Sequence, residues 1–181
     1  MWKNKTVSVV FSTYNEKDSI RQSINDFFAT GIVDEIIVVN NNAAQGTDDE
    51  VKKTKAKLVH EIKQGYGWGY RRGFAEAKGD LIIPSEPDGT FVAKDILKLL
   101  QYSDDFNVVF GTRTTSSMIL SGANMGWFLK TGNWFIAKLI EVFFGTTHLS
   151  DVGCTMKLIK RPIYEKIKHK FKAGGSCFGL E

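Results

Sequence analysis

The segment Gly79-Asp80-Leu81-Ile82-Ile83-Pro84-Ser85-Glu86-Pro87-Asp88-Gly89-Thr90 joins a short apolar run to a pair of carboxylates. Leu81 to Ile83, bounded by Gly and Pro, reads as a buried strand, which places Glu86 and Asp88 on the loop at its C-terminal end. In open α/β sheets that edge is where ligands bind. Side chains two apart on an extended segment reach the same side, so both carboxylates can share one hard cation, Mg²⁺ or Mn²⁺, and through it a diphosphate. The plainer alternative is an acidic turn, since Pro-Asp-Gly is ordinary turn chemistry. The flanking segments decide between the two.

Upstream, Thr6 to Phe11 is β-branched and apolar and reads as a strand ending in the polar loop Ser12-Thr13-Tyr14-Asn15-Glu16. Ile20, Ile24, Phe27 and Phe28 follow at helical spacing. Glu35 to Val39 is a second strand, closed by Asn40-Asn41-Asn42-Ala43-Ala44-Gln45-Gly46-Thr47, whose Asn and Gly mark an irregular loop. Asp48 to Lys55 predicts a short exposed helix with acids leading and lysines trailing, and Lys57 to Glu61 a short strand. Gly65 to Lys78 reads as a glycine-rich loop running into a helix whose Tyr70, Phe74 and Ala77 face the core. The dinucleotide fingerprint G-x-G-x-x-G fails here, because its third glycine position is Tyr70; this counts against a nicotinamide-dependent enzyme.

Downstream, Ala93 to Tyr102 predicts a helix with Ile96, Leu97, Leu99 and Leu100 inward, and Asn107 to Phe110 a strand leading to Gly111-Thr112-Arg113. Alternating strands and helices imply a mostly parallel central sheet flanked by helices. Thr114 to Gly122 reads as a Ser/Thr-rich loop. Met125 to Phe144 is helical and aromatic on more than one face: either a buried helix pair, or a surface that docks on a membrane or a lipid-linked substrate. Leu149 to Ile159 reads as loop and strand, and Pro162 to His169 as a basic helix started by proline.

Composition narrows the class. A chain of 181 residues with 43% hydrophobic and 12% aromatic content is one globular domain. The net charge of +4 is a mild bias, and no basic face with interleaved aromatics argues for nucleic acid. Two cysteines and three histidines form no disulfide framework and no zinc spacing. The opening residues carry no secretory signal pattern, and the longest apolar region is interrupted by Lys130, Lys138 and Glu141, so the expected compartment is the cytoplasm, with the cytoplasmic face of a membrane as the alternative.

Taken together the loops resemble those of the family 2 glycosyltransferases of GT-A fold (the nucleotide-diphospho-sugar transferase fold), and within them the dolichol-phosphate mannosyltransferase group. The similarity runs from Val7 to about Lys166. The motifs that carry it are Ser12-Thr13-Tyr14-Asn15-Glu16, Asn40 to Thr47, Gly65 to Asp80, Glu86-Pro87-Asp88, Gly111-Thr112-Arg113 and, in part, Asp151 to Lys157. The family's usual metal loop is Asp-x-Asp; here Glu86 lengthens one arm. Ser12 stands where Pro is usual, Asn40 and Gln45 where Asp is common, and Thr155 where Gly is common.

The resemblance implies a single GT-A domain over residues 1–181, in which Phe178 to Glu181 would fall mid-domain, so that either the domain is cut short at its C-terminus or the last residues are foreign to it. It implies an inverting transfer of a sugar from a GDP- or UDP-linked donor to a polyprenyl phosphate or a glycan. Ser12, Tyr14 and Glu16 would contact the nucleotide, Val39 and Asn40 would line its base and ribose pocket, and Gly67 would let backbone approach it. Glu86, Pro87 and Asp88 would hold the donor, with Glu86 and Asp88 on Mg²⁺ or Mn²⁺. Arg113 would balance phosphate charge. A hydroxyl acceptor needs a carboxylate base, for which Asp151 is the candidate; an anionic phosphate acceptor needs only cations such as Arg113, Lys157 or Arg161. The rival is a degenerate nucleotide-binding module that keeps the fold and has lost turnover. Peripheral membrane contact and a homo-oligomer remain open.

Overall fold

The computed structural model describes residues 1–113, 127–146 and 148–180. The expected loop from Thr114 to Gly122 and the expected helical start at Met125 lie outside them. Six strands and six helices are described: β1 Val7–Thr13, α1 Lys17–Ala29, β2 Glu35–Asn40, α2 Thr47–Lys52, β3 Lys57–His60, α3 Tyr66–Glu76, β4 Leu81–Ser85, α4 Ile96–Tyr102, β5 Val108–Phe110, α5 Trp127–Phe144, β6 Lys157–Lys160 and α6 Arg161–Ile167. The strands form one sheet in the order β3-β2-β1-β4-β6-β5. β3, β2, β1 and β4 run parallel, and β6 is antiparallel to both β4 and β5. The mostly parallel sheet expected from the alternation is therefore present, with one reversed strand.

Parallel strands covered on both faces are apolar at successive positions. Val7, Val9 and Phe11 of β1 point to one face and Val10 to the other, and all are fully buried. The first face packs against Ile20, Ile24 and Phe27 of α1 and Ile96, Leu99 and Leu100 of α4. Ile20, Ile24 and Phe27 recur at i, i+4 and i+7, so one stripe of α1 meets the sheet; Phe27 meets Phe11 edge-on at 5.2 Å between ring centroids. Leu97, expected inward, is 36% exposed, because it lies off the stripe that Ile96 and Leu100 share.

The opposite face carries α3, α6 and the turn Ser176–Leu180, through Tyr70, Phe74, Tyr164 and Phe178. Helix α3 lies unusually close to β1. A β-carbon on Gly69 would stand 2.0 Å from Ser12 Oγ, and one on Gly73 would stand 2.2 Å from Val10 Cγ1. Those glycines set the helix-to-sheet distance, which fixes where the N-terminus of α3 meets the strand ends. Helix α5 contrasts with this packing. Among its described side chains Ala137 is buried, whereas Trp134, Phe135 and Phe144 are more than half exposed. The expectation of a buried helix pair is thus replaced by a single helix with an aromatic surface. No described helix is long and apolar enough to cross a membrane.

Candidate active site

β2 and β4 flank β1 on opposite sides, so the order of connection reverses between β1 and β4. Loops leaving such a pair diverge and open a crevice at the carboxyl ends of the strands. There the chain has a cleft of about 320 Å³, lined by Ser12, Thr13, Tyr14 and Glu16 after β1, by Glu86, Pro87 and Asp88 after β4, and by Asn41, Gln64 and Tyr66.

The β1–α1 loop is shaped by its own carboxylate. Glu16 Oε2 accepts hydrogen bonds from Thr13 Oγ1 at 3.0 Å, the Tyr14 amide at 2.6 Å and the Asn15 amide at 3.0 Å. This leaves the Tyr14 ring half exposed at the mouth. Asn41 is buried and ties three segments together: its amide donates to the carbonyls of Glu61 and Lys63, and its Oδ1 accepts from the Gly65 amide at 2.8 Å. On the β4 side, Ser23 Oγ donates to the Pro87 carbonyl at 3.1 Å and fastens the loop to α1. Asp88 Oδ1 accepts from both the Thr90 amide (2.9 Å) and the Thr90 hydroxyl (2.7 Å). Gly89 turns the chain between them at φ +80°, a conformation glycine adopts without steric cost.

A second cavity of about 210 Å³ adjoins the first and shares Tyr66 and Glu86 with it; its other walls are Val152, Gly153, Thr155, Ser176 and Gly179. At the partition, Tyr66 Oη lies 2.7 Å from Thr155 Oγ1, and Thr155 Oγ1 donates to Glu86 Oε1. Burial pushes the Tyr66 hydroxyl up to about 12, with the nearby Glu86 charge adding to the shift against the opposing Thr155 hydrogen bond. Beside this cavity Asp151, whose side chain is fully buried, accepts from the Arg113 amide and Nε, both at 3.0 Å, and from Nη2 at 3.3 Å. The Gly153 amide adds a fourth bond at 3.0 Å. The Lys157 ammonium donates to the carbonyls of Val152 and Gly179, and burial pulls its pKa below the ordinary lysine range.

Of the residues singled out in the sequence, Ser12, Tyr14, Glu16, Glu86, Pro87 and Asp88 meet around one cleft. Others stand elsewhere. Val39 is wholly buried in the core against Val10 and Tyr70, and its side chain lines neither of the two cavities. Asn40 is engaged in its own loop, accepting from the Ala43 amide and donating to Asp48; the Asp48 carboxyl, raised by burial, is lowered on balance by bonds from Asn40 and His60. A β-carbon on Gly67 would lie 2.5 Å from the Ala173 carbonyl, so this glycine admits residues 173–178. Arg161 donates to the carbonyls of Ala77 and Gly79, which precede β4, at the opposite end of the sheet. Arg113 and Asp151 bind each other at the rim. Asn41, Gln64 and Tyr66 were not singled out, and Thr155 only as a departure from the family's usual Gly. Asn41 and Tyr66 stood in loops already marked as irregular; Thr155 gave no local signal, because its partners are distant in sequence.

Among the described residues no three His, Cys, Asp or Glu side chains gather into a metal cage. Among the described residues Glu86 Oε2 and Asp88 Oδ2 accept no hydrogen bond, and both residues line the cleft. That donor set fits Mg²⁺ or Mn²⁺ held by one or two carboxylates together with substrate phosphates.

Residues 8–168 match the profile of Glycosyl transferase family 2. The chain belongs to this family. Over 166 residues it is 28% identical to the low-salt glycan biosynthesis hexosyltransferase Agl6 of Haloferax volcanii, an alignment covering 88% of this chain and 40% of that protein. It therefore spans well under half of that curated relative. Glucosyl-3-phosphoglycerate synthase of Mycobacterium tuberculosis, crystallised with Mn²⁺, UDP and phosphoglyceric acid, superposes with a TM-score of 0.72 at 15% identity, covering 98% of this chain and 62% of that one. The same enzyme with Mn²⁺, UDP-glucose and phosphoglyceric acid gives 0.71 at 16% identity. The fold of this family 2 member is the GT-A fold.

Proposed function

We propose that this domain is a metal-dependent inverting glycosyltransferase that takes a sugar from a nucleoside diphosphate sugar. The observation that carries the reading is that Glu86 and Asp88 line the switch-point cleft together with Ser12, Tyr14 and Glu16, each with one carboxylate oxygen that accepts no hydrogen bond among the described residues. Ser12, Tyr14, Glu16 and Asn41 would receive the nucleoside, and Asp88 with Glu86 would hold Mg²⁺ or Mn²⁺ against the diphosphate. A bound cation would neutralise charge on the departing nucleoside diphosphate. The chain's own residues align the donor so that its anomeric carbon faces the second cavity, from which the acceptor attacks on the opposite face.

The second cavity supports an anionic acceptor better than a hydroxyl. Both Asp151 oxygens are engaged by Arg113 and Gly153, whereas Lys157 is a half-buried cation whose hydrogen bonds go to carbonyls. An acceptor phosphate needs no base to become nucleophilic; Lys157 and Arg113 would offset its charge. A glycan hydroxyl would call on Asp151, released from Arg113. The exposed aromatics of α5 support an acceptor presented at a membrane, as a polyprenyl phosphate would be.

Thermal melting tests the donor half directly. UDP or GDP with Mn²⁺ or Mg²⁺ should raise the melting temperature by several degrees, and Asp88→Asn should abolish the rise. No metal-dependent shift with either nucleotide would sink the reading. Binding without transfer across a panel of nucleotide sugars and polyprenyl-phosphate or glycan acceptors would favour the non-catalytic module instead.

A further inference from the structure

The partition between the two cavities is a line of three side chains from three separate segments: Tyr66 at the start of α3, Thr155 before β6, and Glu86 after β4. Its polarity is fixed by chemistry. A carboxylate only accepts, so the Thr155 hydroxyl gives its proton to Glu86 and must accept from Tyr66. Each member is anchored. Thr155 is 6% exposed, and the Tyr66 ring lies 4.6 Å from the ring of Tyr70, whose own hydroxyl donates to the Ser85 carbonyl at 2.8 Å. Ser85 is the residue before Glu86, so the same aromatic pair braces both the backbone and the side chain of the loop.

We propose that Thr155, oriented by Tyr66, is the positioning residue that fixes the Glu86 carboxylate for metal binding. This rests on the metal-dependent reading above. A glutamate arm has three rotatable bonds, and an unrestrained one loses rotamer freedom whenever it captures a cation. Tethering Oε1 to Thr155 removes that freedom in advance and leaves Oε2 to the metal, the role that outer hydrogen-bond partners play around metal-binding carboxylates. The longer arm at position 86 and the hydroxyl at 155 are therefore matched: an aspartate at 86, about 1.5 Å shorter, would not reach.

Mn²⁺ titration of the protein, followed by electron paramagnetic resonance in the presence of UDP or GDP, tests this without turnover. Thr155→Val, which keeps the shape and removes the hydroxyl, should weaken Mn²⁺ binding about tenfold, within the range seen when such outer partners are removed. Thr155→Ser should stay within about twofold of wild type, and Tyr66→Phe should fall between the two. Thr155→Val should add little in a Glu86→Gln background, since the two act as one unit. Glu86→Asp, which leaves the Thr155 packing alone, should reproduce the tenfold loss and serves if Thr155→Val does not fold. Thr155→Val or Glu86→Asp binding like wild type, Thr155→Ser as weak as Thr155→Val, or additive losses would overturn the proposal while leaving the donor reading intact. Wild-type protein binding no Mn²⁺ with either nucleotide would remove both.

Discussion

The two walls of the site hold their polar groups in different ways. On the β1 side, and in the β4 loop near Asp88, side chains are held by backbone or by near neighbours: Glu16 by the amides of Tyr14 and Asn15, and Asp88 by Thr90. On the wall built from residues 148–157, side chains are held by partners far away in sequence: Asp151 by Arg113, and Thr155 by Glu86 and Tyr66. Local bonds shape a loop wherever the loop goes. Distant ones exist only once the sheet has brought its strands together. The Glu16 and Asp88 turns are therefore features of their own loops, whereas the contacts of Asp151 with Arg113 and of Thr155 with Glu86 and Tyr66 are a property of the whole fold.

The largest break in that contrast should come from Arg113→Ala. It leaves the buried Asp151 carboxylate without its counter-charge, a defect that costs about 3 kcal/mol when a buried pair loses one partner. Urea denaturation should show that loss, while Mn²⁺-nucleotide binding in the folded fraction stays unchanged, because among the described residues the Arg113 hydrogen bonds go to Asp151. Loss of nucleotide binding in step with stability would show that the walls are not separable. Gly69→Ala probes the other side. The new methyl group would collide with Ser12 Oγ, and overpacking of this kind costs about 1–3 kcal/mol. Here nucleotide affinity should fall along with stability, because Ser12 lines the cleft; an unchanged affinity would mean that the β1 loop tolerates displacement.

Lys157 gives the smallest effect and the sharpest sign. Burial disfavours its ammonium form, Cys154 and Asp151 oppose that, and the net folded-state pKa lies below the ordinary lysine value. The folded chain thus holds this proton less tightly than the unfolded chain does. Its contribution to stability should improve as pH rises from the folded-state pKa toward about 10.4, the unfolded value. Lys157→Met should lack that alkaline gain and, at pH 7, should match wild-type stability within about 1 kcal/mol. Denaturation midpoints at pH 7 and 9.5 measure both. A large loss at neutral pH would mean that Lys157 is structural and not kept for an anionic acceptor.

The same division explains what could be read from the residues alone. Glu86, Asp88, Tyr14 and Glu16 were legible because a strand's hydrophobic run ends just before them and a sheet edge follows from that ending. The burial of the Val39 side chain was not legible, because its strand continues one position further: β2 ends at Asn40, so Val39 is still core. The neighbours of Gly67 were not legible, because a glycine in a polar loop signals close approach without naming what approaches. Thr155 and the Arg113–Asp151 pair were illegible as contacts, since no local pattern encodes a meeting of segments that β6 brings together.

The position of β6 also sets an order of assembly. Among the described residues β5 pairs with β6 alone, and β6 lies between β5 and β4 although residues 111–156 separate β5 from it along the chain. As the chain emerges from the ribosome, β1 to β4 can pair with one another, but β4 keeps one open edge and β5 has no strand to join until Lys157 to Lys160 arrive. During that interval the unpaired backbone of Leu81 and Ile82 is a template for any extended chain nearby. Slowing synthesis over residues 111–156 would lengthen the exposure, and speeding closure of β6 would shorten it.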